Sequence, residues 1–274
     1  MPNATVRDIV TYYEEAGSGP PLVMIMGLSG DLQAWALQVP ALSKHFRVIT
    51  FDNRGAGRTS APDKPYSIAG MADDTAALMQ HLGIAQANVL GFSMGGYIAQ
   101  ELALAHPDKV EKLILLATAP SIDGYGRAVV RSWMDVARSN LSREQGVRFR
   151  APYLYSPELL DDSDRYERAV TNSVSNPYAQ QDHAFIRQAQ AVLQFDASDR
   201  LAGLQHETLV VACKDDNLVP PRNAEKLASL LPNATLKVLP GAHVGLVEYP
   251  NEYNATFLEF LGVGVRQPAA AATG

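Results

Sequence analysis

Ser93 lies in the segment Gly91-Phe92-Ser93-Met94-Gly95, which has the G-x-S-x-G pattern. An apolar run at 88–92 precedes the serine and a helical pattern at 94–106 follows it, so the pattern predicts a strand-to-helix turn. Such a turn is cramped, and glycines at 91 and 95 let neighbouring backbone approach closely. A serine held at a helix N-terminus also lies where the helix dipole favours developing negative charge. We therefore predict that Ser93 is a nucleophile, with a capping serine in a glycine-rich turn as the simpler alternative.

A serine hydroxyl needs a base to take its proton and a third group to orient that base. His243 is the predicted base, because Pro240-Gly-Ala-His243 directly follows the last predicted strand and its ring would reach the carboxyl edge of a sheet. An ordinary loop histidine is the alternative. The remaining histidines lie at polar segment ends or in a later helical insertion and its exit: His45, His81, His106, His183 and His206.

Two adjacent carboxylates compete for the role of the acid. The segment Lys214-Asp215-Asp216-Asn-Leu-Val-Pro220 follows an apolar run at 208–212. We favour Asp216, which comes four residues before the proline that opens the next helix, and we expect Asp215 to be solvated or to cap. Asp123, in the loop after the run at 112–116, is an outside candidate.

Short apolar runs alternate with helical patterns along most of the chain. This alternation predicts an α/β fold, with a mostly parallel central sheet and helices on both faces, because strands covered on both faces are almost continuously apolar. The predicted strands are 22–26, 47–51, 88–92, 112–116, 208–212 and 235–239, and the predicted helices are 68–82, 94–106, 221–231 and 251–261.

The alternation stops between 121 and 200, where charged helical patterns replace the strands. We therefore predict one sheet, formed by residues 1–120 and 201–262, that is interrupted by a helical cap at 121–200. The segment 263–274 has no pattern, and we predict that it is a disordered tail.

Composition excludes several classes of function. A formal net charge of −6 without a basic stripe argues against nucleic-acid binding, and no apolar stretch is long enough to span a membrane. The single Cys213 cannot form an internal disulfide, and the N-terminus is polar, so we expect a cytoplasmic protein. Neither the histidines nor Cys213 have metal-ligand spacing, and Gly55 and Gly57 lack a phosphate-binding signature, so we predict no metal and no cofactor.

Four motifs together resemble the α/β-hydrolase superfamily. They are the segments 91–95, 52–60, 216–220 and 241–243, in the order nucleophile, acid, histidine, and the resemblance covers about 20 to 262 except the cap. It implies an α/β-hydrolase fold with a triad of Ser93, Asp216 and His243, and a loop at 52–60 whose Asp and Arg brace the site.

The resemblance also implies an oxyanion hole formed by two backbone N–H groups, those of Leu28 and Met94. Such donors face the oxygen that becomes negative in the tetrahedral intermediate. This chain has Met26-Gly27 where many members of the superfamily have His-Gly, so a supporting polar contact is absent.

The segment 27–35 and the compact cap are most similar to esterases and enol-lactonases near 3-oxoadipate enol-lactonase. This resemblance implies hydrolysis of a small-molecule carboxylic ester or lactone, with an acyl-enzyme intermediate. We expect the substrate wall to include Trp35, Tyr125, Trp133, Tyr153, Val219 and Val244, with Tyr155 and Phe195 as further candidates, although aromatic residues are more often core.

Two other functions remain open for such a chain. One is hydrolysis of carbon–carbon bonds in ring-cleavage products, which similar enzymes perform with the same triad. The other is a slow-turnover ligand receptor that uses the acidic helical cap as a partner surface. The sequence does not indicate the oligomeric state.

Overall fold

An eight-stranded sheet forms the centre of the protein. The computed structural model describes residues 2–263. The strand order is β1-β2-β4-β3-β5-β6-β7-β8; β1–β2 and β2–β4 pair antiparallel and the other neighbours pair parallel. The strands are β1 (Asn3–Val6), β2 (Ile9–Ala16), β3 (Pro21–Ile25), β4 (Arg47–Phe51), β5 (Ala87–Phe92), β6 (Val110–Leu116), β7 (Glu207–Cys213) and β8 (Ala234–Leu239).

Eleven α-helices accompany the sheet within residues 2–263. They are α1 (Val39–Leu42), α2 (Ile68–His81), α3 (Met94–Ala105), α4 (Gly124–Ala137), α5 (Arg143–Leu154), α6 (Pro157–Asp161), α7 (Ser163–Ser175), α8 (Asp182–Gln194), α9 (Pro221–Leu230), α10 (Gly245–Glu248) and α11 (Pro250–Phe260). Pro107 and Pro232 come two residues after the ends of α3 and α9. The helices cannot continue through these positions, because a proline lacks the N–H that a helix needs.

The predicted fold class is confirmed, and the six predicted strands correspond to β3–β8. The N-terminal hairpin of β1 and β2 was not predicted from the sequence. Residues of β1 alternate between exposed and buried, which is typical of an antiparallel strand with one face in water. A pattern of continuous apolar runs therefore does not predict this strand.

Both faces of the inner strands are buried, which explains their apolar composition. Leu22 and Met24 of β3 pack in a cluster with Leu42 and Phe257, whereas Val23 and Ile25 pack in a second cluster on the other face. The edge strand β8 is different, since its side chains are only partly buried. Because Leu22 to Ile25 of β3 are buried on both faces, packing holds the end of the strand from which the next loop starts.

The insertion predicted at 121–200 contains helices α4–α8, which lie between β6 and β7. Its two ends meet at the sheet: Ser121 forms an antiparallel bridge with Asp196, and the Ala197 N–H donates to the Pro120 carbonyl at 2.9 Å. The predicted tail at 263–274 lies outside the described residues except for Val263. No helix among residues 2–263 combines the length and apolar character needed to cross a bilayer.

Candidate active site

Ser93 occupies a strained turn between β5 and α3. Its φ is 55° and its ψ is −119°, a left-handed conformation that costs a non-glycine residue free energy. The Ser93 N–H donates to the Leu116 carbonyl of β6 at 2.9 Å, which ties the turn to the neighbouring strand. A Cβ added at Gly91 would lie 2.4 Å from the carbonyl oxygen of Gly95. The turn therefore requires glycine, as its spacing predicted.

We expect Gly95→Ala to lower the free energy of unfolding by about 3 kcal/mol or more. The added Cβ would lie 2.0 Å from the backbone oxygen of Ile25, so α3 would have to move away from β3. Chemical denaturation measures the change. Gly124→Ala is the matched control, because within residues 2–263 its added Cβ would meet no heavy atom closer than 4 Å outside its own helix backbone and chain neighbours. Equal unfolding midpoints for the two variants would contradict the close approach.

His243 links Ser93 to Asp216. Its Nε2 lies 2.9 Å from the Ser93 Oγ and its Nδ1 lies 2.7 Å from Oδ2 of Asp216. Ser93, His243 and Asp216 are thus connected by hydrogen bonds, although 150 positions separate His243 from Ser93 in the sequence. The His243 ring is almost fully buried and packs on the Phe92 ring, with centroids 5.1 Å apart. A proton on Nδ1 leaves Nε2 free to accept the hydroxyl proton of Ser93.

Asp216, and not the adjacent Asp215, faces the histidine. The other oxygen of Asp216, Oδ1, accepts hydrogen bonds from the N–H groups of Leu218 and Val219, each at 2.8 Å. These bonds stabilise the ionised carboxylate in a buried position. The side chain of Asp215 is exposed.

Asp123, the outside candidate for the acid, has a different environment. It caps the N-terminus of α4 by accepting from Gly126 N–H at 2.8 Å, and Arg222 and Asn223 donate to its second oxygen. Burial alone would raise the pKa of the Asp123 carboxyl, but these donors together lower it. Asp123 is therefore an ionised helix cap in the wall of the cavity described below.

The loop from Met26 to Leu32 passes next to Ser93. A Cβ added at Gly27 would lie 3.0 Å from the Ser93 Cβ. Leu28 of this loop and Met94 line the same cavity as Ser93. Met94 is the first residue of α3, so its N–H has no acceptor within the helix. Leu28 and Met94, the two residues predicted to supply the oxyanion hole, thus share one cavity wall with Ser93.

A cavity of about 240 Å³ lies over Ser93 and His243, between the sheet and the cap. Of the six predicted wall residues, Trp133, Val219 and Val244 line it. Trp35 is instead fully buried in the core, where its ring packs against Phe92. Tyr125 is 47% exposed and is not among the residues that line the cavity. The prediction of a substrate contact is wrong for Trp35, which has no exposed surface, because aromatic type alone does not distinguish core from wall. For Tyr125 it stays a prediction.

Two other predicted aromatics form a layer behind the wall. The Tyr153 ring packs edge-on against Trp133, with centroids 5.9 Å apart, and Phe195 stacks on Tyr97 at 4.7 Å. Tyr97 itself lines the cavity and was missed. It follows Ser93 by four positions on α3, which places it near the nucleophile on a helix and could have identified it. The other wall residues that were missed are mostly apolar and include Ile122, Val130, Leu154 and Val192.

The loop at 52–60 braces the site from below. The fully buried Asp52 accepts from Leu32 N–H through one oxygen and from Arg58 N–H through the other, each at 2.8 Å. Burial raises the pKa of the Asp52 carboxyl, against the lowering effect of the donors from Arg58 and Leu32. Within residues 2–263, no three His, Cys, Asp or Glu side chains converge in a group that could hold a metal ion.

Comparisons with known proteins agree with this architecture. A family model described as alpha/beta hydrolase fold matches residues 20–250. A protein of Caulobacter sp. (strain K31), with the provisional name carbamate hydrolase RutD, is 34% identical over 262 residues, which cover 91% of this chain and 95% of that protein. The 3-oxoadipate enol-lactonase 2 of Acinetobacter baylyi is 29% identical over 256 residues, or 91% of this chain and 92% of that protein. The crystal structure of the enol-lactonase from Burkholderia xenovorans LB400 matches with a TM-score of 0.88 at 28% identity, covering 95% of this chain and 99% of that chain.

Proposed function

Since this chain belongs to the alpha/beta hydrolase fold family, we propose that it is a serine hydrolase of small-molecule carboxylic esters or lactones. One observation carries the proposal: an unbroken hydrogen-bonded chain runs from the Ser93 hydroxyl through His243 to Asp216. Activation of a serine nucleophile requires this arrangement of base and acid. Ser93 and His243 also line a cavity, where a substrate can reach the hydroxyl.

The proposed reaction begins when the Ser93 Oγ attacks the carbonyl carbon of the substrate. The hydroxyl proton passes to His243 Nε2, and Asp216 stabilises the resulting imidazolium. The carbonyl oxygen becomes an oxyanion that accepts hydrogen bonds from the N–H groups of Leu28 and Met94. Collapse of this intermediate breaks the bond to the alkoxy group, which leaves as an alcohol with the proton from His243.

The acyl-enzyme is then hydrolysed by water. His243 Nε2 takes a proton from the water as its oxygen attacks the acyl carbon, and the same proton returns to Ser93 Oγ when the acid is released. A lactone follows the same steps, except that the alcohol remains attached to the acyl chain. The triad returns to its starting state, so the cycle needs no cofactor.

A carbamate is the second candidate substrate, favoured by the 34% identical relative that carries the name of a carbamate hydrolase. The same attack by Ser93 would form a carbamoyl-enzyme instead of an acyl-enzyme. The apolar lining of the cavity supports the ester or lactone, because such walls accommodate an apolar acyl group better than a small polar one.

Labelling and turnover test the proposal together. We expect a fluorophosphonate to modify Ser93, as located by peptide mass spectrometry, and we expect an ester or a lactone to be hydrolysed with a kcat of about 1 s⁻¹ or higher. The panel contains a p-nitrophenyl ester, a lactone, a carbamate and a vinylogous diketone that reports carbon–carbon hydrolysis. Turnover of the diketone alone, or an adduct on another residue, would overturn the proposal. Labelling of Ser93 without turnover of any substrate would instead support the alternative function, a slow-turnover ligand receptor.

A further inference from the structure

The loop from Met26 to Leu32, here called the oxyanion loop, is held in a conformation that needs support. Ser29 has a φ of 69°, in the left-handed region that non-glycine residues rarely adopt. Its neighbour Leu28 carries one of the two amides proposed to stabilise the oxyanion. An amide of this kind acts only when it is aimed beforehand at the developing charge. The contacts that hold the middle of the loop are therefore important for the reaction.

The core holds the two ends of the oxyanion loop. The Asn53 side chain donates to the Met26 carbonyl at 2.7 Å, and the Leu32 N–H donates to Asp52 at 2.8 Å. The middle of the loop, where Leu28 and Ser29 lie, is held differently. The Ser29 N–H donates to Oε1 of Gln188 at 3.3 Å.

Gln188 comes from the cap, on helix α8, and is fully buried. Both ends of its side-chain amide are used: Oε1 accepts from Ser29, and Nε2 donates to the Arg54 carbonyl at 2.8 Å. One buried amide thus connects the oxyanion loop to the loop after β4. A buried amide without partners would be costly, so both bonds fix the position of this side chain.

A second bond from the cap reaches the same loop. Asn176 donates to Oδ2 of Asp31 at 2.7 Å, while Oδ1 of Asp31 caps the short helix that follows the loop. Asp31 is buried. The cap therefore contacts the oxyanion loop at two positions, Ser29 and Asp31, which flank Gly30.

We propose that Gln188 is a positioning residue for the oxyanion hole, so that docking of the cap completes the catalytic geometry as well as covering the substrate. The inference rests on the proposed serine-hydrolase function. Gln188 touches no reacting atom. It acts through Ser29, whose N–H it holds, and thereby orients the peptide group between Leu28 and Ser29, which adjoins the one that carries the Leu28 N–H. The cap contributes to the rate of the reaction through this bond.

The test is Gln188→Met, which keeps the length of the side chain and removes both hydrogen bonds. We expect kcat per active site, titrated with a fluorophosphonate, to fall roughly 10- to 30-fold while KM changes by less than about threefold. A trifluoromethyl ketone adds to the Ser93 Oγ as a hemiketal oxyanion, and its Ki should rise by a similar factor. The Ki of a neutral product alcohol should not change.

Gln180→Met is the matched control. Gln180 lies in the same part of the cap and donates to the Gly55 carbonyl at 3.0 Å, so it joins the cap to the core without touching the oxyanion loop. Its variant should keep kcat within about twofold of wild type. An equal loss of kcat in both variants, or a Gln188→Met enzyme with wild-type kcat, would overturn the inference.

Gln188→Glu provides a readout that a loss of stability would not produce. A buried carboxyl has a raised pKa, and in its neutral form it can both accept from Ser29 and donate to Arg54 as the amide does. The ratio of kcat between this variant and wild type should therefore rise as the pH falls. A ratio that does not change with pH would contradict the role of the two bonds.

Absence of ester and lactone turnover in wild type would overturn the proposed function itself. Failure of the proposed function is therefore distinguishable from failure of the inference about Gln188.

Discussion

Ser93→Ala is expected to lower kcat for ester hydrolysis by about 10⁵- to 10⁶-fold. The variant lacks the oxygen that forms the acyl-enzyme, so His243 has no proton to accept and the covalent route is closed. The cavity and both proposed oxyanion amides remain, which is why a small residual rate above the uncatalysed one is expected. Initial rates on a p-nitrophenyl ester, with the protein concentration fixed by absorbance, measure the loss.

Ser132→Ala is the control for this substitution. Ser132 lies on the cap helix α4, and its hydroxyl donates within the helix to the Val129 carbonyl at 2.8 Å. The control should retain full activity and fluorophosphonate labelling. A Ser93→Ala enzyme that keeps more than about a tenth of wild-type kcat would show that the nucleophile lies elsewhere.

Asp216→Asn is expected to lower kcat by about 10³- to 10⁴-fold with little change in KM. The asparagine can keep the bonds from Leu218 and Val219 to its oxygen, which turns its amide N–H₂ towards His243 Nδ1. That nitrogen must then accept, so the imidazole proton moves to Nε2, which can no longer take a proton from Ser93. The loss therefore arises from the wrong tautomer, in addition to the missing negative charge beside the imidazolium.

Asp215→Asn makes the same chemical change one position earlier in the chain. Asp215 is exposed, and among residues 2–263 its hydrogen bonding is limited to its backbone N–H, which donates to the Gly241 carbonyl at 2.9 Å. Its variant should therefore have wild-type kcat. Steady-state kinetics of the two variants side by side measure the difference, and similar losses in both would contradict the assignment of Asp216.

Much of the scaffold was predictable because its determinants are local. Strands covered on both faces are almost continuously apolar, and β3–β7 were predicted from this pattern; β8 was predicted with them although it is a half-exposed edge strand. The glycines at 91 and 95 were predicted from the needs of a tight strand-to-helix turn, and added Cβ atoms there would collide with backbone. The hairpin of β1 and β2 was not predicted, because β1 alternates between exposed and buried residues and so has no continuous apolar run.

The walls of the cavity could not be predicted in the same way. Trp35 and Trp133 are the same residue type, yet one is core and the other lines the cavity. Which side of a helix or loop faces the substrate depends on how the cap sits over the sheet. That arrangement arises from contacts such as those of Gln188 and Asn176, whose partners lie far away in the sequence.

The amino-acid sequence alone determined the order of β3–β8 and of the helices α2, α3, α9 and α11, the place of the insertion and the strained turn that holds Ser93, since each depends on neighbouring residues and their periodicity. Asp216 was already favoured over Asp215 from the sequence. Only the tertiary structure decided which aromatic rings form the cavity wall, and that a cap glutamine bonds to the oxyanion loop. These features depend on the packing of segments that are distant in the chain, and the geometry of such packing is absent from any local pattern.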